Sequence, residues 1–178
     1  MNEIPKIFKS SSHKDNRGVF SKLLSNIQNK KILKKDRIIE INYSFNKIKG
    51  TIRGFHYQKK PKNEQKLIIC NKGKIIDVII DLRKKSKNFL KVYKFILSDT
   101  ENSCLFIPHG FAHGFQTLVD DCELIYFHSE SYSPSSESGV AFNDPSLNIT
   151  WPNKVIEVST RDKSHKLIDM NFQGAELI

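Results

Sequence analysis

The sequence predicts an all-β fold, a sandwich or barrel, on three observations. Short β-type segments recur at close spacing through most of the chain, with turn residues between them. Two of the most apolar segments flank Asn71-Lys72-Gly73, which reads as a hairpin turn. Helical periodicity is nearly absent.

Taken in order, Ser21–Lys31 is the clearest helix candidate. Arg37–Phe45 (RIIEINYSF) alternates apolar and polar residues, the period-2 signature of a strand with two unlike faces. Arg53–Gln58 is strand-like and rich in aromatics. Gln65–Cys70 and Lys74–Leu82 are the runs on either side of Asn71-Lys72-Gly73, and Lys91–Ser98 is the next strand. Ser98–Asn102 resembles a capping segment and predicts a short helix. Ser103–Ile107, Phe115–Val119 and Cys122–His128 read as further strands. There is no repeat, low-complexity tract or Pro/Gly-rich linker. Residues 1–178 therefore read as one domain with its core over about 4–165 and a peripheral end, roughly Asp162–Ile178.

Net charge is +10, which first points to nucleic acid, but 24 of the 29 basic residues are Lys, dispersed in short clusters. That pattern is a solvated surface, and no nucleic-acid partner is expected. The five Arg are more telling, because guanidinium groups make bidentate contacts with phosphate and carboxylate. Arg17, Arg53 and Arg161 fall inside motif-like segments. No apolar run approaches the ~18 residues of a membrane span, and the start has no apolar leader segment. The three cysteines, Cys70, Cys104 and Cys122, form no close pair, which predicts reduced thiols in a cytoplasmic protein.

Two histidine segments decide the chemistry. Pro108-His109-Gly110-Phe111-Ala112-His113 fits Pro-x-Gly-x-x-His, a motif of the cupin jelly rolls. Many cupins hold a metal with three His and one Glu, but here the first-motif counterpart is His56-Tyr57-Gln58, with Gln58 in place of a second ligand. His56 and His113 alone leave a divalent first-row metal short of donors, so neither metal nor cofactor is expected.

The chain resembles the dTDP-4-dehydrorhamnose 3,5-epimerase family, a metal-free cupin branch. The resemblance rests on collinear segments over nearly the whole chain. They include Asp15-Asn16-Arg17-Gly18, Asn42-x-Ser44, Arg53 through Gln58, Gln65-Lys66-Leu67 and Asp81-Leu82-Arg83. Pro108 through Phe115, Tyr126, Tyr132-Ser133-Pro134, Glu137-x-Gly139, Trp151-Pro152 and Ser159-Thr160-Arg161-Asp162 follow. The resemblance implies a jelly roll with a few short helices. It also implies epimerisation at C3, C5 or both of a nucleotide-linked 4-keto-6-deoxy sugar, hexose or heptose, in bacterial surface-polysaccharide synthesis. Such a reaction needs a base, stabilisation of an enolate, and an acid on the opposite face. By family matching His56 is the base, Asp162 fixes its tautomer, Lys66 faces the C4 oxygen and Tyr126 is the acid. Arg17, Arg53 and Arg161 hold diphosphate or sugar, and Asn42, His113, Tyr132 and Glu137 complete the substrate site. The family's Arg17 segment reaches a neighbouring subunit, which implies a homodimer.

Two positions depart from the family pattern: Lys22 stands where Glu is usual and Glu40 where Gln is usual. Both family residues help hold thymidine. A carboxylate accepts both adjacent donors of guanine, whereas thymine's pairing edge offers one donor between two acceptors. A GDP-linked sugar is therefore expected. A nucleotide-sugar 3,4-ketoisomerase and a non-catalytic sugar-binding cupin are the competing readings.

Overall fold

A computed structural model describes residues 3–23, 33–34 and 36–175. The all-β expectation holds: two antiparallel sheets face each other, as in a jelly roll. The first has the order β1 (Lys6–Lys9), β9 (Ser103–Ile107), β6 (Lys66–Lys72), β11 (Cys122–His128), β4 (Glu40–Asn46). The second has the order β12 (Glu137–Gly139), β5 (Thr51–Gln58), β10 (Phe111–Thr117), β7 (Lys74–Asp81), β8 (Val92–Ser98). A two-residue strand, β13 (Glu157–Val158), runs parallel to β5. β2 (Ser11–Asp15) and β3 (Gly18–Lys22) form a separate exposed hairpin.

Apolar side chains of both sheets meet in one cluster that includes Ile68, Ile79, Leu97, Leu105, Phe115 and Leu124. The outer face of the second sheet carries its own apolar layer, with Phe55, Val78, Ile80 and Leu82 under Trp151 and Phe172. A strand covered on both faces reads as a continuous apolar run, which is why every residue of β7 after Lys74 is buried.

Four expectations change. Ser21 and Lys22 belong to β3, and the remainder of the helix expected over Ser21–Lys31 is Leu23, which is irregular, and residues outside the described set. Of the helix expected over Ser98–Asn102, Ser98 ends β8 and the rest is a turn, with Asn102 at φ 44° and the Glu101 N–H donating to the Ser98 carbonyl. Asn71-Lys72-Gly73 is no hairpin, because β6 and β7 lie in different sheets. Gly73, at φ 85°, turns the chain from one sheet to the other, and its N–H donates to Asp99 Oδ2. The C-terminal segment is not peripheral: Asp162 and Ala175 are buried, and Ile168 and Phe172 cover the second sheet. No described helix is long and apolar enough to cross a membrane.

Candidate active site

β4 has an inverted pattern that builds the site. Its even positions, Glu40, Asn42, Ser44 and Asn46, carry polar side chains on one face, and Tyr43 and Phe45 stand exposed on the other. Ser44 meets Tyr126 at 3.2 Å, so the polar face is the one turned toward β11 and the interior. From the facing sheet, His56 and Gln58 of β5 and His113 of β10 point the same way, while Phe55 and Tyr57 join the outer layer. One end of the sandwich is therefore polar inside, and it opens as a cleft of about 340 Å³.

The cleft wall on the second sheet holds an imidazole–carboxylate pair. β13 docks beside β5, and Ser159 caps the helix that follows, α1 (Thr160–Lys163), by accepting from the Asp162 N–H. This delivers Asp162, a buried residue, behind His56: Oδ1 lies 2.8 Å from His56 Nε2 and Oδ2 accepts from the Gly54 N–H at 2.9 Å. Gly54 sits at φ 121° where a Cβ would collide with Gly114, so only glycine admits this approach. Burial would raise the Asp162 pKa, but the bonds and charge of His56, with the N–H of Gly54, hold it well below the usual range. An ionised carboxylate on Nε2 places the ring proton there and leaves the Nδ1 lone pair free.

The opposite wall comes from the first sheet. Lys66 Nζ lies 3.2 Å from Glu64 Oε1, and Glu64 Oε2 is 2.6 Å from His128 Nδ1. Lys66 and His128 are direct cross-strand partners, so the three groups form one charged cluster. Burial opposes ionisation of Glu64, yet Lys66 and His128 outweigh it and lower the carboxyl's pKa. Tyr126 is 3.2 Å from Ser44 Oγ, and its ring approaches those of His128 and His113, with centroids 6.1 and 6.3 Å away. Desolvation pushes its phenol well above the ordinary 10, only partly offset by Ser44. It is a neutral proton donor at any ordinary pH.

The rim is one chain of contacts. Gln58 accepts from the Ser133 N–H at 2.7 Å and donates to the Ser131 carbonyl, pinning the loop that carries Tyr132. The residue that breaks the metal motif thus has a structural task. The Tyr132 hydroxyl donates to Glu137 at 2.8 Å, and Glu137 pairs with Arg161 at 2.9 Å. Glu40 accepts from Asn42 Nδ2 at 2.7 Å and from the Tyr132 N–H at 3.2 Å.

Of the residues expected from sequence, His56, Lys66, Glu40, Asn42, Tyr132, Glu137 and Arg161 line the cleft. Asp162 stands behind His56. Tyr126 adjoins the cleft through His128. His113 is buried, with Nε2 bound to Asp77 at 3.0 Å; burial pushes the imidazole down and the carboxyl up, toward a neutral pair. Arg53 donates to Asn46 Oδ1 at 2.6 Å and is not a lining residue. Arg17 and Lys22 lie away from the cleft on the exposed hairpin, where Arg17 pairs with Asp15 at 2.6 Å. Sequence reading missed Glu64, His128 and His165. Period-2 spacing from Lys66 and Tyr126 points to the first two; no local signal marks His165.

The chain and its fold have counterparts among known proteins. Residues 3–169 match the family model described as dTDP-4-dehydrorhamnose 3,5-epimerase. The chain is 35% identical over 174 residues to the dTDP-4-dehydrorhamnose 3,5-epimerase of Shigella flexneri, covering 96% of each chain. It is similar to the solved structure of dTDP-4-dehydrorhamnose 3,5-epimerase from Bacillus anthracis with TDP and PPi bound. There the TM-score is 0.89 with 37% identity, covering 92% of this chain and 94% of that one. It also resembles the dTDP-6-deoxy-D-glucose-3,5-epimerase of Legionella pneumophila in complex with dTDP-4-keto-L-rhamnose. In that case the TM-score is 0.89 with 31% identity, covering 98% and 94%.

Proposed function

The chain belongs to the dTDP-4-dehydrorhamnose 3,5-epimerase family, a family of isomerases, and from that premise we propose that it inverts C3 and C5 of a dTDP-linked 4-keto-6-deoxy sugar. The observation that supports the chemistry is the placement of His56 and Tyr126 on facing sheets, where they suit the roles of base and acid. His56 projects from β5 with its Nδ1 free of the carboxylate, and Tyr126 projects from β11 with a protonated phenol. A sugar held between them loses a proton to one face and regains it on the other. His56 takes the C–H proton α to the ketone, and the resulting imidazolium is held by Asp162. The C4 oxygen gains negative charge in the enolate, and Lys66 meets it with an ammonium that Glu64 and His128 hold in place. Tyr126 then gives its proton to the carbon from the opposite side. Tyr132, Glu137 and Arg161 form the rim that receives the nucleotide end.

A guanosine handle is the second reading, favoured by Glu40 in the cleft. Against it, both Glu40 oxygens already accept bonds within the chain, and Lys22 is not beside it. The relatives named above carry dTDP names, so thymidine is the first reading.

The active unit in this reading is a homodimer. β4 is a sheet edge whose outer face exposes Ile41, Tyr43 and Phe45, at 61%, 61% and 46%. The β2–β3 hairpin exposes Phe20 at 70% and holds Arg17 at its exposed turn, which suits contact with a second copy. Deuterium incorporation followed by NMR tests the reaction: dTDP-4-keto-6-deoxyglucose in D₂O should exchange at C3 and C5. Absence of exchange at both carbons would sink the epimerase reading. Titration with dTDP and GDP decides the nucleotide, and light scattering decides the dimer.

A further inference from the structure

The His56–Asp162 pair has a third neighbour that the reaction does not use. His165 lies just past α1, and its Nε2 is 3.9 Å from Asp162 Oδ1. That nitrogen is buried with no hydrogen-bond partner. Its ring meets the His56 ring edge-on, centroids 5.7 Å apart at 75°. Gly139 on β12 leaves the space: a Cβ there would collide with the imidazole. One ligand atom each from His56, Asp162 and His165 lies within 4.8 Å of the others.

We infer that His56, Asp162 and His165 form an inhibitory site for a divalent transition metal, zinc above all. Two imidazoles and a carboxylate are a donor set zinc prefers, at bonds of about 2.0–2.2 Å, which sets tetrahedral ligands about 3.3 Å apart. The separations of 2.8 and 3.9 Å from Asp162 Oδ1 bracket that value, so small ring rotations bring the donors into place. His56 lines the cleft, which leaves a fourth position for water. Arg161 is the nearby opposing charge, 3.4 Å from His56 Nε2 and 3.6 Å from Asp162 Oδ1; it is exposed and paired with Glu137 at 2.9 Å, so it swings out with that partner when a metal binds.

The consequence follows from imidazole chemistry. Zinc on Nε2 takes that lone pair and leaves the ring proton on Nδ1, the nitrogen that must accept the substrate proton. The base is then lost without any covalent change. This inhibitory half rests on the epimerase reading; metal binding does not.

Competition with a chromophoric zinc chelator, on the metal-stripped full chain, tests the site. The parent should bind one zinc per chain in the micromolar range. His165→Ala and His165→Gln should each bind at least tenfold more weakly while still exchanging deuterium. Zinc should stop exchange in the parent, and a chelator should restore it. Equal affinity in parent and both variants, or binding only at millimolar zinc, overturns the site. Zinc bound with exchange undiminished overturns the inhibition and leaves the reaction standing. No exchange in the metal-free parent overturns the reaction, while the chelator competition still decides the site.

Discussion

Asp162→Asn separates the carboxylate's two tasks. In the parent, Oδ2 accepts from the Gly54 N–H and Oδ1 faces His56 Nε2. An Asn amide has one acceptor and one donor end, so it must choose. Turned one way, its NH₂ meets the Gly54 N–H, two donors with no remedy. Turned the other way, its NH₂ meets Nε2, and imidazole adapts by moving its proton to Nδ1. The second arrangement wins. It preserves the Gly54 bond, so folding loses only the difference between a charge-assisted and a neutral hydrogen bond, about 1–2 kcal/mol. The reaction loses its base, because Nδ1 now carries the proton. General base catalysis contributes about 10²–10⁴-fold, so deuterium exchange at C3 and C5 should fall by that factor. Urea unfolding and NMR exchange measured on the same preparation give both numbers. Exchange within about threefold of the parent in a folded Asp162→Asn protein refutes the tautomer argument.

Other outcomes follow from the same geometry. Tyr126→Phe should retain proton loss to His56 while net inversion falls by about 10²-fold or more, seen as exchange without product. Lys66→Met removes the charge facing the enolate and should lower kcat by about 10²–10³, measured by coupled turnover. Glu64 has a folded pKa below its ordinary 4.5, so its stabilising contribution is full above that value and is lost as pH falls through the folded one. The stability gap between parent and Glu64→Gln, read from urea midpoints, should therefore shrink as pH drops from 7 to below 4; a gap that stays constant contradicts this. Burial pushes the Cys70 and Cys104 thiols up to about 12. A thiol reagent at pH 8 should label them only after denaturation.

Much of the fold was legible because its cause is local. Ser103–Ile107 and Cys122–His128 match observed strands to the residue, since their composition and boundaries are set by the pleat and by flanking turns. The errors arose where the same local pattern has two tertiary outcomes. Asn71-Lys72-Gly73 between apolar runs suits a hairpin and a crossover alike, and only the pairing of β6 with β9 and β11 distinguishes them. Ser21–Lys22 carries no strong local preference, and its strand exists because β2 lies beside it.

The site divides in the same way. Sequence by itself determined the family and the all-β class, because collinear motifs span nearly the whole chain, and it named seven of the side chains that line the cleft but not Glu64 or His128. Tertiary structure decided which atoms face which. Asp162 reaches His56 across 106 positions because β13 pairs with β5 and α1 follows it. Glu40, read as free to recognise a base, is held by Asn42 and Tyr132. His165 becomes a neighbour of the base only when β12 brings Gly139 under its ring. Contacts of that kind depend on the summed path of many residues between the partners, and no short segment encodes that sum.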